Sequence, residues 1–202
     1  MIVGNGEIGQ EHAAAIDAAD LVVRFNDCRS YGAGGTRTDI VAVCNTGRPA
    51  LAMLGGGHWK TNAAVGLASE IWCTRAPERF EVLRGTLAVT HPELDDLCDD
   101  YSAGFHAFAS ATGRRMVQMP AAIHVAVDER LSAIGAEPYV VPSSGMLVID
   151  AVLERTARPD DSVTIVGFGH QGWAWHPFSA EKRLVESYIA AGRLQRLETL
   201  PI

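Results

Sequence analysis

The sequence predicts an α/β fold of the Rossmann-like kind, with a mostly parallel sheet flanked by helices. Three observations predict it. Short apolar runs of β type alternate with helical stretches, the pattern of a layered α/β architecture rather than an all-β or segregated one. The first run leads into a glycine-rich turn that opens a helix, and the last buried run also ends in glycines. At 202 residues, 48% of them hydrophobic and 20% charged, the chain is sized for a single domain over 1–202 with a full core.

Each element follows from its local pattern. Met1–Gly4 is a short first strand, Gln10–Ala19 an Ala-rich helix and Leu21–Phe25 a second strand. Asp39–Cys44 reads as a third strand, set between Gly32–Gly35 and Asn45–Gly47. Glu70–Thr74 and Thr86–Thr90 are further strand candidates, and Tyr101–Ala136 is mostly helical with poor boundaries. Tyr139–Val141 is short and extended, and Gly145–Arg155 is helical. Val163–Gly167 is a buried strand, and Ala180–Ala191 is an amphipathic helix.

Charge and composition remove several function classes. A net charge of −7 argues against a nucleic-acid partner, which needs a basic surface for counterion release. No apolar run reaches the length of a spanning helix, and no basic segment followed by an apolar run opens the chain. Cys28, Cys44, Cys73 and Cys98 are widely spaced and read as reduced thiols. A cytoplasmic protein is expected. No metal is expected, because none of the histidines pairs at ligand spacing and the Asp95-Asp96 and Asp99-Asp100 cluster reads as solvated surface.

Three places can carry chemistry. Gly4-Asn5-Gly6-Glu7-Ile8-Gly9 matches GxGxxG, and the amides of such a turn can face a phosphate. The same residues also serve a tight βα turn that needs glycine only for close packing. Asp27 stands near the spacing of a ribose-binding acid, which keeps an NAD(P)-dependent oxidoreductase among the alternatives. Pro142-Ser143-Ser144-Gly145 precedes an apolar periodic run, so it marks a capped helix start whose N–H groups and dipole can form an anion site; a capped helix alone is locally the commoner reading. Gly167 to Pro177 holds His170, His176, Trp173 and Trp175 on one loop beyond a strand, where open α/β sheets bind ligands. Histidine there can act as a general base.

Taken in order, these segments resemble the sialyl motifs of the animal-type sialyltransferase family. Ile2-Val3-Gly4-Asn5-Gly6, Ile16-Asp17 and Val22 to Asn26 resemble its large motif. Pro142 to Leu147 with Val166-Gly167-Phe168-Gly169 resembles the small motif, and His176 to Glu181 matches the H-x4-E very small motif. The resemblance covers roughly the first 45 and last 65 residues, and it is that of a short bacterial-like member. It implies a GT-A-type fold without a cofactor or metal, and a CMP-activated acidic sugar (sialic acid or Kdo) as donor substrate. It also implies a glycan acceptor, lipid-linked in one version, and inverting transfer. Gly4, Asn5, Gly6, Asn26, Ser143, Ser144 and Gly145 are then expected at the donor, His176 as base and Glu181 in support. His170 stands in for the histidine of the family's missing third motif. Gly6 replaces the family's usual serine, and no cysteine occupies the positions of its linking disulfide. A relative that binds CMP without catalysis is the nearest alternative.

Overall fold

The computed structural model describes residues 1–197. Its strands are β1 (Ile2–Val3), β2 (Val23–Phe25), β3 (Ile40–Val43), β4 (Glu70–Cys73), β5 (Arg115–Gln118), β6 (Thr164–Val166) and β7 (Gln195–Arg196). All pair in parallel in one sheet, in the order β5-β4-β3-β2-β1-β6-β7. The chain therefore steps outward from β1 to β5, then returns to the other side of β1 for β6 and β7. The α/β, Rossmann-like class expected from the alternating pattern is the class observed.

Strands in a parallel sheet are covered on both faces, so their residues divide between two cores. Ile2, Val23, Phe25, Ile40 and Ala42 pack with residues of α6 (Ala121–Ala133), α7 (Ser144–Ala151) and α8 (Phe178–Ala190). Val41, Val43, Ile71 and Cys73 face the other way. They pack against α2 (Gly47–Gly55), α3 (Ala63–Leu67) and α5 (Ser102–Ala111). The alternation follows from the period of two along a strand, and it explains why β1 and β3 are apolar throughout. Beside β1 a smaller cluster joins Val3 and Val166 to Ile16 of α1 (Ala13–Asp17). Among the described residues no helix is long and apolar enough to cross a membrane.

Two sequence readings change, and one strand falls where none was read. Thr86–Thr90 is the last turn of α4 (Pro77–Thr90), not a strand. Pro77 opens that helix and Glu78 sits in its first turn, both helix-start signals, and no proline follows until Pro92. β5 lies inside the stretch read as mostly helical, because its four residues are half-exposed or exposed and carry no apolar run. β7 is two polar residues at the sheet edge, equally silent in pattern.

Candidate functional site: a cleft at the switch point of the sheet

Strand order reverses between β1 and β6, and open parallel sheets leave a crevice outside the carboxyl ends of strands at such a point. A cleft of about 1000 Å³ opens there. Gly4, Asn5, Gly6, Asn26, Ser143, Ser144, Gly145, His170, His176 and Glu181 all line it, although up to 177 positions separate them in sequence.

The first turn is built for closeness. The Gly4 and Gly6 N–H groups donate to the carbonyls of Val166 and Gly167 at 2.8 and 2.9 Å. A Cβ at either position would fall against the Gly167 carbonyl oxygen. These two amides are thus spent on joining the ends of β1 and β6, which is the packing role of glycine rather than a phosphate cradle. The helix that follows is a 3₁₀ turn (Gln10–His12) running into the five-residue α1.

The two asparagines sit on the same rim. Asn26 adopts φ of 45°, a left-handed conformation that asparagine tolerates better than most residues. Its Oδ1 accepts the Cys44 N–H at 2.8 Å, and its carbonyl accepts the Trp59 indole N–H at 2.9 Å. Asn5 Oδ1 accepts the Arg29 N–H at 3.3 Å.

Across the cleft, α7 begins as its sequence foretells. Ser143 caps the helix, its Oγ accepting the Met146 N–H at 3.1 Å. Glu181, 1% exposed, holds that cap by accepting both the Ser143 N–H and the Ser143 hydroxyl at 2.6 Å. Burial pushes the Glu181 carboxyl up from its ordinary value. Ser144 Oγ lies 3.0 Å from Thr74 Oγ1. The N–H groups of Ser144 and Gly145, the first two of α7, have no acceptor among the described residues.

The histidines are both held neutral. His176 Nδ1 donates to the Val141 carbonyl at 2.8 Å, so Nε2 is the ring's acceptor. Burial and the Arg75 charge bring its pKa down to about 4. His170 has φ of 47°, and its Nε2 is buried without a partner among the described residues. Burial, Arg196 and Lys182 bring its pKa down to about 4 as well. Trp173 packs against the His176 ring at 4.8 Å, and Trp175 against His91 at 4.4 Å.

Sequence reasoning passed over Arg75. It stands two residues past the end of β4, it lines the cleft, and it is 3% exposed. Its Nη1 donates to the Pro142 carbonyl at 2.7 Å, and no carboxylate lies within 4.0 Å of it among the described residues. Its backbone is clamped by Asn45, whose Oδ1 accepts the Arg75 N–H at 2.7 Å while its Nδ2 donates to the Arg75 carbonyl at 2.9 Å. A charged residue two positions beyond a buried parallel strand is the signal that could have found it. The acidic cluster also proves to be engaged. Asp96 pairs with Arg48 at 3.1 Å and Asp99 with Arg84 at 3.2 Å. Among the described residues no group of three or more His, Cys, Asp or Glu side chains is placed to hold a metal ion.

No family model matches the sequence. The chain is similar to the urease operon 23 kDa accessory protein of Rhizobium meliloti (strain 1021), with 57% identity over 197 residues. The match takes in 98% of this chain and 91% of that protein. This relationship overturns the sialyltransferase resemblance. With it go the CMP-sugar donor, the glycan acceptor, the transferase activity, the non-catalytic CMP-binding alternative and the NAD(P) oxidoreductase alternative. The physical reason for the misleading likeness is on the cleft walls. Gly4, Gly6, Gly167 and the Ser143 cap are the residues that close packing at this switch point demands, so they mark a scaffold and not a reaction. Asp27, the expected ribose acid, is exposed and stands 3.8 Å from the Arg29 guanidinium.

Proposed function

The chain belongs to the family of the urease operon 23 kDa accessory protein, and from that premise we propose that it works as an accessory factor to urease. Its working part is the cleft at the switch point, where it binds a small molecule, and the chain 1–202 acts as one unit. The observation that carries this reading is the convergence of Asn5, Asn26, Ser143, Ser144, Gly145, His170 and His176 on one cavity. A wall holding buried polar groups without protein partners fits a polar ligand rather than a dry core. His176, neutral with Nε2 as acceptor, receives a hydrogen bond from a ligand hydroxyl or N–H, and Gly4 and Gly6 hold the wall behind it. The four free cysteines favour action in the cytoplasm.

The test is a strain carrying the urease operon with this gene deleted, complemented by the wild-type chain or by Ser144→Trp, which fills the cleft. Urease activity per urease polypeptide should fall on deletion, return with the wild-type chain and stay low with the folded variant. Equal activity in all three strains would refute the reading.

A further inference from the structure

We infer that the cleft ligand carries an oxyanion, a phosphate or a carboxylate, held between the Arg75 guanidinium and the first amides of α7. This rests on the cleft being the working site, and it adds the chemical class of what the site takes.

Arg75 carries the argument. A guanidinium stays charged at any physiological pH, and a charge this deep is normally matched by a carboxylate. Here none lies within 4.0 Å among the described residues, and a single backbone carbonyl, that of Pro142, takes one of the donors. The Nε and Nη2 donors have no acceptor among the described residues, while the ring of Phe80 covers one side of the group, 5.7 Å away. Glu181 is the acid that faces this corner. Both of its oxygens are committed to Ser143, so it holds the helix start in place instead of pairing with Arg75.

A second, independent set of donors meets the first. The N–H groups of Ser144 and Gly145 open α7 without acceptors, at the positive end of the helix dipole. Pro142, whose carbonyl holds Arg75, is the residue just before the Ser143 cap, so one short segment ties the guanidinium to the helix start. Two amides and a forked guanidinium converging on one corner of a cleft suit the several lone pairs of an oxyanion. Backbone position is fixed as well: Asn45 and Gln118 both hold the Arg75 carbonyl, at 2.9 and 2.6 Å. Thr74 and Ser144 bridge the two walls at 3.0 Å.

Thermal unfolding of the full chain with inorganic phosphate, and separately with acetate, at matched ionic strength, tests the inference. Ligand that binds only the folded state raises the melting temperature with concentration. The wild-type chain should respond to at least one of the two, and which one identifies the source of the oxyanion. Arg75→Gln should weaken the apparent affinity roughly ten- to a hundredfold, the weight of a charge-assisted hydrogen bond. Ser144→Pro supplies a variant that keeps the fold. Proline is favoured at the first position of a helix, Ser143 with ψ of 153° already has the extended backbone that precedes proline, and the amide removed has no acceptor among the described residues. It should weaken the response several-fold relative to Ser144→Ala, which controls for the lost hydroxyl. No response to either anion in the wild-type chain, or equal responses in all variants, would overturn the inference. The urease phenotype is a separate reading: its loss on deletion with no anion response refutes this inference alone, and an anion response without the phenotype refutes the accessory role alone.

Discussion

Arg24, inside β2, and Arg75, two residues past the carboxyl end of β4, are both buried arginines, and they stand in opposite situations. Arg24, 0% exposed in β2, spends every nitrogen on the protein. Its Nε donates to the Arg37 carbonyl and Thr38 Oγ1, its Nη1 to Ser30 Oγ, and its Nη2 to the carbonyls of Gly34 and Gly35. Neutral acceptors thus surround it, and it ties the loop 28–38 to the sheet. Arg75 lines the cleft, and of its guanidinium nitrogens only Nη1 has an acceptor among the described residues. The difference teaches how to tell a structural cation from a receiving one: burial is the same, and the saturation of donors is not.

The largest effect should come from breaking the structural partner. Arg24→Met leaves three backbone carbonyls and two hydroxyls without their donor, and unfolding in denaturant should show a loss of about 3–5 kcal/mol. Arg75→Gln, by contrast, should fall within about 1 kcal/mol of the wild-type chain, since a buried charge without a carboxylate partner contributes little net stability. A loss for Arg75→Gln as large as that for Arg24→Met would collapse the comparison.

Between these lies a pH effect. Burial brings His124, His170 and His176 down to about 4, so from roughly pH 6.5 to 4 the unfolded chain takes up protons that the folded chain refuses. Stability should therefore fall as pH falls through that window and level off below it. Glu181 and Asp150, whose carboxyls burial pushes up, act in the opposite sense. His124→Asn should flatten the acid limb by on the order of 3 kcal/mol, read from melting curves across the window. The smallest effect belongs to the surface. Val82→Ser in α4, at 79% exposure, should change unfolding by less than about 0.5 kcal/mol.

Much of the cleft was legible in the chain because its walls are built from local signals. A glycine turn after a strand, a serine cap before an apolar run and a histidine-bearing loop beyond a strand each announce themselves within a few residues. Arg75 was not legible, because its meaning is set by partners far along the chain, Asn45 thirty positions before it and Pro142 well after it. β5 and β7 escaped for a related reason: both are short edge strands without an apolar run, defined by the neighbour they pair with and not by their own pattern. The sialyltransferase resemblance failed at a different level. Its motifs coincide with residues that the switch point requires for packing, and packing residues do not name a substrate.

The most direct test of the account places Arg75→Gln, checked to be folded by its melting temperature, in the urease-operon strain lacking this gene. At wild-type protein levels, the account predicts urease activity as low as in the deletion strain. Full urease activity with Arg75→Gln would contradict it, because the cleft would then not be where the protein does its work.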